Sequence, residues 1–88
     1  MLLDVIAVKP LPNYRILVEF ENHEKRIFDV KPLFERARWQ ELKDERLFKL
    51  VRVQDGTVLW PFQGGLDICP SWLYSDSVPY TEEDADRK

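Results

Sequence analysis

Asp55-Gly56, set between two runs of alternating apolar residues over 50–54 and 57–60, restricts this chain more than any other feature. Two neighbouring residues that accept positive φ match the right-handed twist of flanking strands, so the dipeptide predicts a type I′ hairpin. That register sets Val51, Val53, Val58 and Trp60 on one face, and Arg52, Gln54, Thr57 and Leu59 on the other. Pro61 then ends the donor ladder, Gly64-Gly65 permits unusual dihedrals, and Pro70 is suited to open a short helix through Ser71, Trp72, Leu73 and Tyr74. Asp67, or the residue before Pro70, is expected to cap it. Residues 51–74 should therefore form the heart of the fold.

The upstream half carries the second hairpin. Residues 2–8 read as a first strand that stops before Pro10 and Pro12, since neither proline can donate to a ladder. Residues 14–21 alternate, with Ile16, Val18 and Phe20 on one side and Arg15, Leu17, Glu19 and Glu21 on the other. A two-residue turn at Asn22-His23 would set Glu19 against Arg26, Val18 against Ile27 and Leu17 against Phe28. Asp29 precedes Pro32 and a short helix with Leu33, Phe34 and Ala37 inward. Trp39 and Leu42 are expected to fold a connecting turn under the sheet, and Asp44 to cap a helical turn over 45–50 that points Leu47 and Phe48 inward.

The fold class that follows is α+β, in two layers. An antiparallel sheet of about five short strands, two hairpins plus an N-terminal strand, packs against short helices. Residues 1–80 make one domain, and the polar tail 81–88 is expected to be mobile. A chain of 88 residues buries only about 60–65% of the surface it exposes when unfolded, which argues against a deep cofactor cleft. Its formal charge of -3 gives no overall field for phosphates or anionic lipid. A single cysteine fits a reducing cytoplasm, and neither a secretory signal nor a membrane-spanning run is expected.

Tyr14, the Glu21-Asn22 turn, Phe28-Asp29, Phe48, Asp55-Gly56, Trp60-Pro61, Asp67, Pro70 and Leu73-Tyr74 together form a pattern. It resembles a small prokaryotic family of uncharacterised proteins catalogued as domain of unknown function 2442. The resemblance spans most of residues 2–75, and its most specific part runs from the Gly56 turn through Trp-Pro to Leu-Tyr. It implies an α+β domain with an antiparallel sheet on short helices and no catalytic residue to carry over. Some members stand beside helix-turn-helix or toxin–antitoxin-like components, which implies a regulatory, partner-binding role. Two departures stand out: His23 holds a turn position usually given to glycine, and the Trp60 to Asp67 loop is slightly long.

Individual residues offer little chemistry. His23, the sole histidine, has no second ligand at metal spacing and reads as a solvated turn residue. Cys69 near a helix start invites thiol chemistry but has no matching base, and is read as structural. Asp29 and Asp67 read as caps rather than an acid–base pair. Gly64-Gly65 lacks the spacing of a phosphate loop. Arg36, Arg38, Arg46 and Arg52, with Trp39 among them, are the only basic concentration, and Glu35, Glu41, Asp44 and Glu45 cancel most of it.

The aromatic group of Trp60, Phe62, Trp72, Tyr74 and Tyr80 exceeds what one small face buries, so Phe62, Trp72 or Tyr80 is expected to remain exposed as a protein contact. The expected function is a cytoplasmic, non-enzymatic interaction or regulatory module without cofactor or metal, acting on a protein partner or on itself, with a toxin–antitoxin-like neighbour as one such partner. The alternatives are a ligand-binding or enzymatic domain around Gly64-Gly65, Asp67, Cys69 and Tyr74, and a weak nucleic-acid-binding accessory.

Overall fold

The computed structural model describes residues 3–61 and 66–80. Phe62, Gly64-Gly65, the first residue of the expected N-terminal strand and the 81–88 tail lie outside the described residues. The chain runs β1 (Val5–Leu11), β2 (Arg15–Phe20), β3 (Lys25–Asp29), two 3₁₀ segments (Lys31–Glu35 and Ala37–Lys43), α1 (Glu45–Phe48), β4 (Arg52–Gln54), β5 (Thr57–Trp60), β6 (Leu66–Ile68), α2 (Pro70–Asp76) and β7 (Val78–Pro79). The α+β class is as expected. The strands, however, form two antiparallel sheets, β1-β2-β3-β7 and β4-β5-β6, instead of one sheet of about five.

The Asp-Gly hairpin is as the sequence predicts. Asp55 and Gly56 take φ of 52° and 77°, and Val53 pairs with Val58. Strand β6 was not expected. It pairs Leu66 with Trp60 and Ile68 with Val58, burying both its apolar residues while Asp67 stays exposed beside Leu59. Asp67 therefore does not cap α2: the other expected residue, Cys69 before Pro70, occupies that position in extended conformation without a side-chain capping bond, and Pro70 starts the helix. Of the two other expected caps, Asp44 holds, its Oδ1 accepting from the Arg46 amide at 3.0 Å, whereas Val30 and not Asp29 stands at the cap of the first 3₁₀ segment, although Asp29 Oδ1 accepts from the Lys31 amide at 3.0 Å.

The first hairpin departs from the expected register by one residue. Glu21, Asn22 and His23 form a three-residue loop in which the Phe20 amide donates to the Glu24 carbonyl, the His23 amide to the Phe20 carbonyl, and His23 takes a φ of 69°. Val18 consequently faces Arg26 and Ile16 faces Phe28. Because strand side chains alternate, a one-residue slip exchanges the two faces of β3. The observed register puts Phe28 on the core side, where the two-residue turn would have buried Asp29.

Strand β1 also extends further than its prolines foretold, through Pro10 to Leu11. It lies at the sheet edge, where a missing donor breaks no ladder bond. A register irregularity between Val5 and Ala7 turns Ile6 out to solvent, and the Val5 amide donates to the Gly56 carbonyl, tying the two sheets together.

The core lies between the sheets. Ile16, Val18, Phe20, Val58, Trp60, Ile68 and Leu73 are fully buried, and Trp39 and Leu42 close one end from the second 3₁₀ segment. Phe48 points inward as expected, whereas Leu47 is only half-buried. The Trp60 indole donates to the Phe48 carbonyl at 2.9 Å, so the largest buried ring leaves no polar atom unpaired. Trp39 stands edge-on to both Trp60 and Trp72. Tyr14, whose backbone sits at a φ of 58°, is clamped between the Phe34 and Phe48 rings while its hydroxyl donates to the Lys43 carbonyl.

Candidate functional site

Of the residues in the alternative ligand-binding or enzymatic reading, Gly64-Gly65 lie outside the described residues, and Tyr74 is not brought together with Asp67 and Cys69. Asp67 and Cys69 are both exposed on β6 and just after it, but the Tyr74 hydroxyl is engaged elsewhere, donating to Glu24 Oε1 at 2.8 Å. Cys69 is an exposed free thiol. Its Sγ lies 3.4 Å from Ser71 Oγ, and that hydrogen bond, aided by backbone amides at the start of α2, draws its pKa below the ordinary value. Among the described residues no three His, Cys, Asp or Glu side chains stand where they could share a metal ion. His23 is exposed in its turn and pairs with Glu19 at 3.1 Å.

The basic stretch offers no stacking platform. Arg36, Arg38, Arg46 and Arg52 are exposed, but Trp39 is buried and Arg46 is bound to Asp44. The Asp44 carboxyl is held below its usual pKa by the Arg46 guanidinium and amide.

The contact candidates are divided. Trp72 is half-buried: it packs edge-on against Phe28 and Trp39, and its indole donates to Asp76 Oδ2 at 2.7 Å. Tyr74, not among the rings expected to remain exposed, is the more exposed one. It sits under the Arg26 guanidinium at 4.5 Å and edge-on to Phe20. Arg26 in turn donates to Ser77 Oγ, the Ser77 carbonyl and Glu24 Oε2, and these bonds fasten the end of α2 to β3. Glu24 is held below its ordinary pKa first by the Arg26 bond and next by the Tyr74 hydroxyl.

Tyr80 leads to the outer face of the four-stranded sheet. Its amide donates to the Lys25 carbonyl, continuing the β3–β7 register in which Ile27 faces Val78. Following that register across the sheet gives three rows on the face turned away from the core. Ala7, Glu19, Lys25 and Tyr80 form one; Lys9, Leu17, Ile27 and Val78 the next; Leu11, Arg15 and Asp29 the third. The middle row is apolar except for Lys9. Ile27 is buried yet stands apart from the core between the sheets, Leu17 is half-buried, and Val78 is 58% exposed. A shallow depression lined by Ala7, Val8, Lys9, Leu17, Glu19 and Lys25 marks one end of this face.

Sequence reasoning missed this surface because Leu17 was counted on a polar strand face and the slipped register took Ile27 away from it. The available signal was a leucine in the solvent row of an otherwise charged strand.

A small α+β domain with two antiparallel sheets, an aromatic core and an apolar row on the outer face of the larger sheet is thus the class of protein defined here. The chain belongs to the family described as Protein of unknown function (DUF2442), whose model matches residues 5–79. Comparison with curated proteins and with solved structures gave no match.

Proposed function

We propose that this domain is a non-enzymatic protein-interaction module with a regulatory role, working in the cytoplasm through a protein partner. The observation that carries the proposal is the apolar row Leu17, Ile27 and Val78, which lies outside the core with charged rows on either side. Interfaces are commonly built this way, with apolar residues at the centre and a polar rim. Tyr80, one of the expected contact residues, borders the same row. Among the described residues no helix is long and apolar enough to cross a membrane. The partner is either a second copy of the chain or a neighbour of the toxin–antitoxin-like kind that the resemblance implies.

Purification of the tagged protein from its own cells, followed by mass measurement of the intact complex, tests the proposal. Leu17→Asp, checked for folding by circular dichroism, is expected to lose the partner. A folded Leu17→Asp variant that retains its partner unchanged, or a wild-type chain that recovers none, counts against it.

A further inference from the structure

We propose that the outer face of the four-stranded sheet pairs with the same face of a second copy of this chain, an inference that rests on the module reading above and names its partner. The ground is charge complementarity. On β2, Glu19 and Arg15 flank Leu17; on β3, Lys25 and Asp29 stand opposite them and flank Ile27. The four charges form a checkerboard around an apolar centre.

A two-fold axis lying between two such faces, parallel to the strands and midway between β2 and β3, sets β2 of one copy over β3 of the other. Glu19 then meets Lys25 of the second copy, Arg15 meets its Asp29, and Leu17 meets its Ile27. Symmetry repeats each contact. The same operation sets small Ala7 over bulky Tyr80, and Lys9 over Val78, where its aliphatic stem covers apolar surface while the ammonium reaches the rim. Aligned sheets generally pack about 10 Å apart with their strands rotated by about 30°.

Existing local pairs do not compete strongly. Glu19 pairs with exposed His23 at 3.1 Å, and Asp29 accepts from the Lys31 amide at 3.0 Å and lies 3.6 Å from the exposed Lys31 ammonium. Among the described residues neither Arg15 nor Lys25 forms an ion pair within 4 Å, and the one side-chain bond of Arg15 is a long one, from Nε to the Pro12 carbonyl at 3.4 Å. Exposed pairs of this kind contribute little, whereas opposed charge patterns across an interface set register and exclude wrong partners.

Sedimentation equilibrium of the full chain at low salt tests this directly. The mass is expected to rise from 10.5 kDa toward twice that with concentration. Glu19→Lys and Lys25→Glu each bring like charges face to face, and each should weaken association by about tenfold or more. An equal mixture of the two variants should recover it, because each face then meets its opposite. Altered folding cannot produce that recovery, since neither chain changes on mixing.

A dimer indifferent to both reversals, or reversals whose mixture stays dissociated, overturns the proposal. A wild-type chain that stays monomeric but holds a different protein from its own cells overturns self-pairing and leaves the module reading intact. A monomer with no partner removes both.

Discussion

His23 shows how much a single backbone angle costs. At a φ of 69° its β-carbon crowds the following carbonyl, a strain of about 1–2 kcal/mol for an L-residue. Glycine would remove it while adding back about 0.5–1 kcal/mol of unfolded-chain entropy. The exposed pair with Glu19 offsets little of the remainder. His23→Gly is therefore expected to stabilise the protein by roughly 0.5–1 kcal/mol, read as a higher urea midpoint at unchanged slope. A lower midpoint would mean that the Glu19 pair outweighs the backbone strain. Tyr14 carries the same left-handed geometry, but its ring and hydroxyl anchor the chain to Phe34, Phe48 and Lys43, so there the strain is held by packing and glycine would be no improvement.

Among the elements, α2 is the one held most by polar groups, and this makes its attachment sensitive to acid. Arg26 bridges Glu24 and Ser77, and Tyr74 reaches Glu24 from the helix. The Glu24 carboxyl is depressed in the folded protein relative to its ordinary value of 4.5. A depressed carboxyl contributes stability in full above its unfolded pKa, and the contribution is lost as pH falls through the lower folded value. Asp44, depressed by Arg46 at the start of α1, adds a contribution of the same sign. The thermal midpoint should accordingly fall between about pH 6 and about pH 3, and fall less in Glu24→Gln. Equal falls in the two proteins would show that the bridge to α2 does not carry the effect.

The elements also differ in how far the sequence announced them. Strand β5 and its turn were legible because Asp55-Gly56 has few conformational alternatives, and β2 because Ile16, Val18 and Phe20 alternate without interruption. Strands β6 and β7 were not, since two or three residues carry no measurable period and pairs such as Ile27 with Val78 depend on distant chain. The first hairpin failed for a subtler reason: loops of two and of three residues both give plausible cross-strand partners, and only the burial of Phe28 decides between them. That one-residue ambiguity also concealed the candidate site, whose apolar row exists only in the observed register.

For the whole molecule, one core serves both sheets. The radius of gyration of 12.3 Å is that of a compact chain, close to the roughly 12 Å expected at this length. Trp60, from the smaller sheet, and Phe20, from the larger, both lie at zero exposure in that shared interior. The sheets are expected to unfold together, so thermal transitions followed by tryptophan fluorescence and by far-ultraviolet circular dichroism should coincide. Separate midpoints would show that each sheet holds itself.

The pairing of Ile27 with Val78 bears on synthesis as well as on the finished protein. The hairpin of β2 and β3 leaves the ribosome early, but the neighbour that completes β3 arrives only after some fifty further residues have been translated. Until then the nascent chain displays an unfinished ladder, open to any passing strand. A ribosome that stalls or terminates short of residue 78 would release a sticky product.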